Sequence, residues 1–262
     1  MNNAFNFSRF GRYLSYDIKK AFSSSGISIM ILGLMPVIVT VFEYLVHILG
    51  MGESPVTISG HLLFLVMAVY NIVIPARCYG EITDRKAGSN WLMVPASKLE
   101  KFVSMLVVMI IVLPALMVFL FLGSDALLSL IPGYGSPMSL QLGDTVKMIF
   151  GDNGMEWTKS LLFPTIFEEN VISILFFLLG AVLFKRRKIG CTILSYVLVS
   201  IALGLVIMLA ANIFVGKLSF TEEEILSTLS RPLIISIYHV LNIIAAVLIG
   251  FFIWRRIKTI QL

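Results

Sequence analysis

The chain has 262 residues, of which 58% are hydrophobic and only 13% are charged, and its mean hydropathy is +0.95. About a quarter of the residues of a soluble globular domain are charged, so this composition excludes an ordinary soluble protein and indicates an integral membrane protein. The formal charge of +5 does not predict nucleic-acid binding, because the basic residues are divided among separate segments and form no continuous face.

Six apolar runs are long enough to cross a hydrocarbon core of roughly 30 Å as helices. The predicted spans cover about residues 27–49, 60–76, 97–122, 165–184, 189–215 and 232–254. The 20 Lys and Arg residues fall on alternate connections, with the exceptions of Lys147, Lys159, Lys217 and Arg231. By the positive-inside bias, this distribution predicts that both termini are cytoplasmic. The expected fold is therefore all-α, with a single transmembrane domain over residues 1–262.

At the N-terminus, residues 7–22 carry apolar side chains at spacings of three and four, with basic residues mostly on the other face. This pattern predicts an amphipathic helix at the membrane interface; the alternative is a helix that packs on a soluble partner. Pro36 predicts a kink in the first span, and a neighbouring helix or side chain must satisfy the carbonyl that the kink frees.

Two connections of the predicted topology are long. The stretch 79–96, between the second and third spans, is expected to be cytoplasmic. Ser97 and Glu100 have the spacing of a capping box, which predicts that the third helix begins at Ser97. Residues 132–164 form the longest outer connection. The fourth span that follows it is the shortest apolar run, and it is supported because the basic cluster at 185–188 would otherwise be exported.

Polar residues inside the spans are candidates for a transport route. Glu43 is a carboxylate within the first span, where a charge is costly unless it is paired, protonated or hydrated, and His47 lies one turn away. Alternatively, these residues line no route: Glu43 is close enough to the outer surface to reach water, and the buried Asn residues form hydrogen bonds between helices. The candidates are Glu43, His47, Asn71, Asn212, His239 and Asn242. Their spacing predicts no metal site.

Motifs for catalysis by the chain itself are missing from the sequence. Gly216 and Lys217 form the single Gly-Lys pair, but Leu218 follows where a P-loop requires Ser or Thr. Neither a GxSxG nor an HExxH motif occurs. The chain is therefore not expected to be an enzyme or to bind a cofactor, although an intramembrane enzyme centred on Glu43 stays open as a further hypothesis.

The stretch 79–96 carries charged residues around an apolar patch at residues 91–94. Such a patch predicts either a docking site for a partner or a segment that lies on the membrane surface. Glu81, Arg85, Gly88 and the triplet Pro95-Ala96-Ser97 give this stretch a pattern that resembles the permease subunits of type-2 ABC exporters. The likeness covers the whole chain, because that family is similar in its interfacial helix, six spans and inward termini.

The resemblance implies that residues 79–96 form a coupling loop that docks on a cytoplasmic P-loop ATPase. The residues it assigns to this contact are Glu81, Asp84, Arg85, Gly88, Trp91, Leu92, Met93, Pro95 and Ser97. It further implies that the ATPase binds ATP and Mg²⁺, that a second permease copy or homologue completes the transporter, and that an amphiphilic, lipid-like or drug-like substrate crosses the bacterial inner membrane. The alternative is a membrane scaffold or assembly factor that docks a cytoplasmic protein without transport.

Overall fold

The computed structural model describes residues 5–50, 60–83, 88, 91, 93–131, 156–218 and 231–259. Of these residues, 91% are helical and none lies in a strand, which confirms the predicted all-α class. The helices are α1 (Phe7–Gly33), α2 (Met35–Ile48), α3 (Gly60–Tyr79), α4 (Lys98–Val107), α5 (Leu113–Leu128), α6 (Glu156–Leu183), α7 (Lys188–Leu218) and α8 (Arg231–Thr259). A 3-10 turn, Gly80–Thr83, follows α3, and a π-helical turn, Val108–Val112, joins α4 to α5.

Several of these helices are long and apolar enough to cross a membrane. Among the described residues, four stretches qualify by length and hydropathy: Leu62–Thr83, Lys98–Leu128, Lys188–Val206 and Tyr238–Thr259. The bent pair α1 and α2 would be a fifth. These helices indicate a multi-pass membrane protein, whereas the six spans and the cytoplasmic termini stay predictions.

The break near the N-terminus lies later than the sequence predicts. The expected interfacial helix (7–22) and the first part of the expected first span (27–49) form one helix, because α1 continues to Gly33. Ser25 donates to the Ala21 carbonyl within this helix, at 2.7 Å, so its buried hydroxyl is satisfied without a break in the helix. The break comes directly before Pro36, which removes a backbone donor.

At this break, α1 and α2 meet at an angle of 45°. The Gly33 carbonyl there accepts a hydrogen bond from Ser124 Oγ of α5, at 3.0 Å. The expected kink at Pro36 is therefore present. The Leu32 carbonyl, four residues before the proline, accepts from the Leu34 N–H, and a neighbouring helix satisfies the next carbonyl, that of Gly33.

The π-helical turn accommodates a second proline. The N–H of Leu113 bonds to the carbonyl of Val108, five residues earlier. By the same spacing, the Met109 carbonyl would accept from residue 114, but Pro114 has no N–H. Tyr70 of α3 fills that place, because its buried hydroxyl donates to the Met109 oxygen at 3.3 Å.

Two further boundaries differ from the prediction. Helix α3 continues through Pro75 to Tyr79, beyond the predicted end of the second span at 76. Helix α6 begins at Glu156, inside the predicted outer connection 132–164, so the helix that contains the fourth predicted span starts earlier than expected. Residues 132–155 lie outside the described part of the chain.

The core of the bundle lies where α3 and α6 pack between the N-terminal helices and α8. Each of the central helices contributes side chains that recur every three or four residues and bury one stripe. Fully or almost fully buried members include Val66, Tyr70, Ile74, Met105, Met109, Leu113, Met117, Phe121, Ile174, Leu178 and Val182. Helix α7 packs on α6 and α3 and leaves most of its apolar surface exposed, as a lipid-facing helix would.

Gly180 allows α6 and α7 to approach closely, and this contact gives a test of the packing. A Cβ atom at Gly180 would overlap the side chain of Thr192, which is 2% exposed. We expect Gly180→Ala to lower the free energy of unfolding by about 1 to 2 kcal/mol, because overpacking forces a shift of α7. Thermal unfolding of the purified chain in detergent measures this loss.

The control for this change is Gly250→Ala in α8, where an added Cβ meets no atom within 4 Å. That variant is expected to be as stable as the parent or slightly more so, because alanine favours the helix. Equal stability of the two variants would contradict the close α6–α7 contact.

Candidate functional site

The first end of the predicted coupling loop is tied to two other helices by a buried carboxylate. Asp17 of α1 is 3% exposed. Its Oδ2 atom accepts hydrogen bonds from the Tyr79 hydroxyl at 2.9 Å and from Ser104 Oγ at 2.7 Å. Since Tyr79 ends α3 and Ser104 lies in α4, this one carboxylate joins three helices where the loop leaves the bundle.

The other end of the loop is held by the predicted capping box, which the structure confirms. Ser97 Oγ accepts from the Glu100 N–H at 3.2 Å, and Glu100 Oε2 accepts from the Ser97 N–H at 2.9 Å. These bonds satisfy two backbone donors at the start of α4. The third helix therefore begins where the sequence places it.

Glu100 also binds the N-terminal helix. Both carboxylate oxygens accept from the Arg9 guanidinium, each at 2.7 Å, and Oε1 accepts from the Asn6 N–H at 2.9 Å. Glu100 is fully buried, whereas the Arg9 side chain is 29% exposed. Two-point pairing of a guanidinium with a carboxylate fixes direction as well as distance. The start of α1 and the start of α4 are thereby joined as one unit.

Trp91 fixes the middle of the loop, and its position differs from the expected one. The side chain is 5% exposed. The Lys101 ammonium lies 4.7 Å from the ring centroid and donates to the Trp91 carbonyl at 2.6 Å. The Tyr13 hydroxyl lies near the Trp91 side chain. Trp91 therefore anchors the loop in its own chain, instead of offering its ring to a partner or to lipid as the sequence predicts.

The remaining loop residues divide into buried and exposed ones. Gly88 is buried, whereas Glu81, Met93 and Pro95 are exposed, Met93 by 78%. We refer to these three exposed residues as the docking face. The predicted contact residues Asp84, Arg85 and Leu92 lie outside the described residues.

A groove of about 390 Å³ borders the docking face. Its walls come from the N-terminal helix and from the end of the loop. The lining residues are Arg9, Arg12, Tyr13, Tyr16, Val94 and Pro95. The groove thus combines two guanidinium groups with an apolar floor.

Hydrogen bonds from side chains to backbone carbonyls bring distant parts of the chain together around this loop. Ser24 of α1 donates to the Arg77 carbonyl at 2.9 Å. The Lys188 ammonium, at the start of α7, donates to the Gly80 carbonyl, and Lys98 donates to the Lys258 carbonyl near the end of α8 at 2.8 Å. Segments that the charge distribution assigns to one side of the membrane therefore lie together at one end of the bundle.

The polar residues predicted to line a route occupy separate places. Asn71 donates to Asn170 Oδ1 of α6 at 2.7 Å, which fits a bond between helices. Glu43 is half-buried, and its Oε2 atom has no hydrogen-bond partner in the described structure. His47 is exposed in α2. The side chain of Asn212 lies outside the described residues.

His239 and Asn242, by contrast, come together on one carboxylate that the sequence does not single out as a site. Glu168 Oε2 lies 2.9 Å from His239 Nδ1 and 3.2 Å from Asn242 Nδ2. Glu169 Oε1 accepts from the Tyr238 hydroxyl at 2.6 Å. Over the described ranges, no group of three His, Cys, Asp or Glu side chains is placed to hold a metal ion.

Sequence reasoning missed two carboxylates that organise these contacts, Asp17 and Glu168, and it missed the bond of Glu100 to Arg9. Asp17 lies within the amphipathic N-terminal helix, and its spacing from Tyr13 and Ala21, which the structure buries, places it on their face. That spacing is the one signal that could have identified it. For Glu100 and Glu168, the deciding partners lie far away in the sequence.

Comparisons with known proteins give no relative for this chain: no family model matches it, and neither the curated proteins nor the solved structures contain a significant match.

Proposed function

We propose that the chain is the transmembrane permease subunit of an ATP-driven type-2 ABC exporter in the bacterial inner membrane. In this proposal, the docking face contacts a cytoplasmic P-loop ATPase, and a second permease copy or homologue completes the transporter. ATP and Mg²⁺ bind to the ATPase, because the chain has no P-loop of its own. The substrate is amphiphilic, lipid-like or drug-like.

The observation that carries the proposal is that the described residues of the loop between α3 and α4 include exposed ones on one side and buried, bonded ones on the other. Asp17 holds its first end, Trp91 its middle and Glu100 its last end, while Met93 projects from the chain. A loop held in this way moves together with the helices that it joins. A push on Met93 would therefore be transmitted to α4 instead of being absorbed by loop bending.

The groove beside the docking face supports a protein partner. An apolar side chain that is 78% exposed next to an apolar groove of about 390 Å³ is typical of the anchor points of protein interfaces. The exposed Arg12 at the rim favours a partner with acidic residues around an apolar side chain.

We expect this chain to change conformation and to catalyse no covalent step. Closure of the ATPase pair on ATP would bring two docking faces together. Through the Ser97 cap and the Arg9–Glu100 pair, that movement would shift α4 and α1 as one body. Binding energy from ATP would thus bias the bundle between inward-open and outward-open states.

A pair of substitutions on the docking face tests the proposal. We expect Met93→Asp combined with Glu81→Lys to reduce substrate-stimulated ATP hydrolysis by the assembled complex by about tenfold or more, because loss of an interface anchor costs about 2 kcal/mol. The measurement is phosphate release by the permease and its ATPase, purified together and reconstituted in liposomes.

The matched control is Phe119→Asn in α5, which also changes an exposed apolar residue, 74% exposed, away from the docking face. It is expected to leave hydrolysis within twofold of the parent. A scaffold that docks a protein without transport would lose its partner with the docking-face change, but would show no substrate-stimulated hydrolysis in any variant. Full stimulation in the doubly substituted protein would contradict the exporter proposal.

A further inference from the structure

A second polar site lies at the opposite part of the bundle from the coupling loop, between α6 and α8. These two helices pack together over much of their length. At 1.5 Å per residue, Glu168 lies about 22 Å from Leu183 at the end of α6, and His239 lies about 24 Å from Arg255 near the end of α8. The basic segment 185–188 follows the end of α6, and the basic residues Arg255, Arg256 and Lys258 lie within the end of α8. In a hydrocarbon core of roughly 30 Å, the Glu168 cluster is therefore near the other membrane surface.

Beside the cluster, a cleft of about 180 Å³ runs between the two helices. Its floor is aliphatic, formed by Val171 and Ile172 of α6 and by Ile243 and Ala246 of α8, and Glu168 stands at its rim. The cleft is open along one side. Apolar protein cavities of roughly 150 Å³ take up small hydrocarbons, so this cleft has room for a short length of alkyl chain.

The two carboxylates at and beside the cleft carry negative charge that their described contacts do not fully compensate. Glu168 is bonded to His239 and Asn242, and Glu169 to Tyr238. Amide and phenol groups satisfy carboxylate oxygens without supplying positive charge, and a single imidazole can carry at most one positive charge against the two carboxylates. Among the residues whose side chains the structure describes, neither carboxylate pairs with Lys or Arg. A cation that approaches this rim would gain charge-assisted hydrogen bonds at a low-dielectric boundary.

We propose that the cleft between α6 and α8 binds a cationic amphiphile, with its amine at Glu168 and Glu169 and its alkyl chain on the aliphatic floor. The shape and the charge of the site agree on this class: the apolar floor rejects a polar solute, and the two carboxylates reject an anionic headgroup. The open side lets the ligand enter from the membrane. The inference rests on the proposed function in one respect: if the chain is part of an exporter, this amphiphile is its class of substrate.

The test uses the full chain in phosphatidylcholine nanodiscs without an ATPase, and a photoreactive dodecylamine with a diazirine on its alkyl chain. We expect saturable labelling of residues 167–175 and 242–250, identified by peptide mass spectrometry. Excess dodecylamine should remove the label, whereas dodecyl sulfate at the same concentration should not. Labelling spread evenly over the exposed face of α7, or equal competition by dodecyl sulfate, would overturn the proposal.

Two variants separate the contributions of charge and shape. Glu168→Gln combined with Glu169→Gln keeps the shape of the rim and should raise the half-saturating concentration about tenfold, because charge-assisted bonds are lost. Ala246→Phe fills the cleft and should reduce labelling to background. The control Ile244→Phe changes a half-exposed residue of α8 outside the cleft and should label like the parent.

These outcomes also separate the site from the proposed function. Localised, amine-selective labelling with no ATP-driven transport in the reconstituted complex would leave the site standing and contradict the exporter. Labelling that Ala246→Phe leaves unchanged would refute the site, whether or not the complex exports another compound. Size-exclusion chromatography reports whether each variant folds. If Ala246→Phe does not fold, the combined Glu168→Gln and Glu169→Gln variant tests the site in its place.

Discussion

Trp91→Ala is expected to lower the free energy of unfolding by about 3 to 5 kcal/mol, the range found when a buried aromatic side chain is removed from a core. The ring is 5% exposed and carries the Lys101 ammonium on its face. Its removal leaves a cavity below the loop and exposes a buried cation to a void. Chemical or thermal unfolding of the purified chain in a nonionic detergent measures the loss.

The comparison variants assign this effect to burial. Met93→Ala, two residues along the loop, removes a side chain that is 78% exposed and is expected to change stability by less than about 0.5 kcal/mol. Trp91→Phe retains an aromatic face for Lys101 and should lose about 1 to 2 kcal/mol, because the ring is smaller and leaves part of the space unfilled. If Trp91→Ala were no more harmful than Met93→Ala, the inward anchoring of the loop would be wrong.

Glu100→Ala is expected to lower the free energy of unfolding by about 2 to 3 kcal/mol. The change removes half of the capping box of α4, and it leaves the N–H groups of Asn6 and Ser97 without their acceptor; caps and buried donors each contribute about 1 kcal/mol or more. It also removes the Arg9–Glu100 bond between α1 and α4. We expect the same variant to lose ATPase stimulation in the reconstituted complex at a temperature where the chain is still folded.

Glu100→Gln tests which of these terms dominates. Glutamine can form the capping box but cannot form an ion pair, so it should restore part of the stability. Arg9→Met combined with Glu100→Gln should cost less than the sum of the two separate changes, since the two side chains contact each other. Strictly additive effects would mean that the Arg9–Glu100 pair does not join the helices.

Local features of the fold could be predicted from the sequence because their causes lie within a few residues. The capping box at Ser97 depends on residues three positions apart, and the structure has both of its bonds. The break before Pro36 follows from a missing N–H. The all-α class follows from long apolar runs. The prediction leaves residues 22–27 between the interfacial helix and the first span, whereas the structure places them within α1.

The site contacts depend on packing between distant segments, which periodicity does not encode. Arg9 and Glu100 are 91 residues apart, and Glu168 and His239 are 71 residues apart. Trp91 lies among charged neighbours, which predicts a surface position; its burial depends on Tyr13 and Lys101, which the fold brings to it. The sequence therefore predicts where the loop lies, but not which of its residues face a partner.

Photocrosslinking from position 93 tests the central claim most directly. Met93 is an apolar residue of the docking face and is 78% exposed. Benzoylphenylalanine incorporated at position 93 should therefore react with the partner in native membranes. The same amino acid at position 119, exposed on α5, serves as the control and should react with lipid. The account predicts that position 93 yields a crosslinked P-loop ATPase and that position 119 does not. Lipid adducts alone at position 93, or a crosslinked protein without a P-loop, would contradict it.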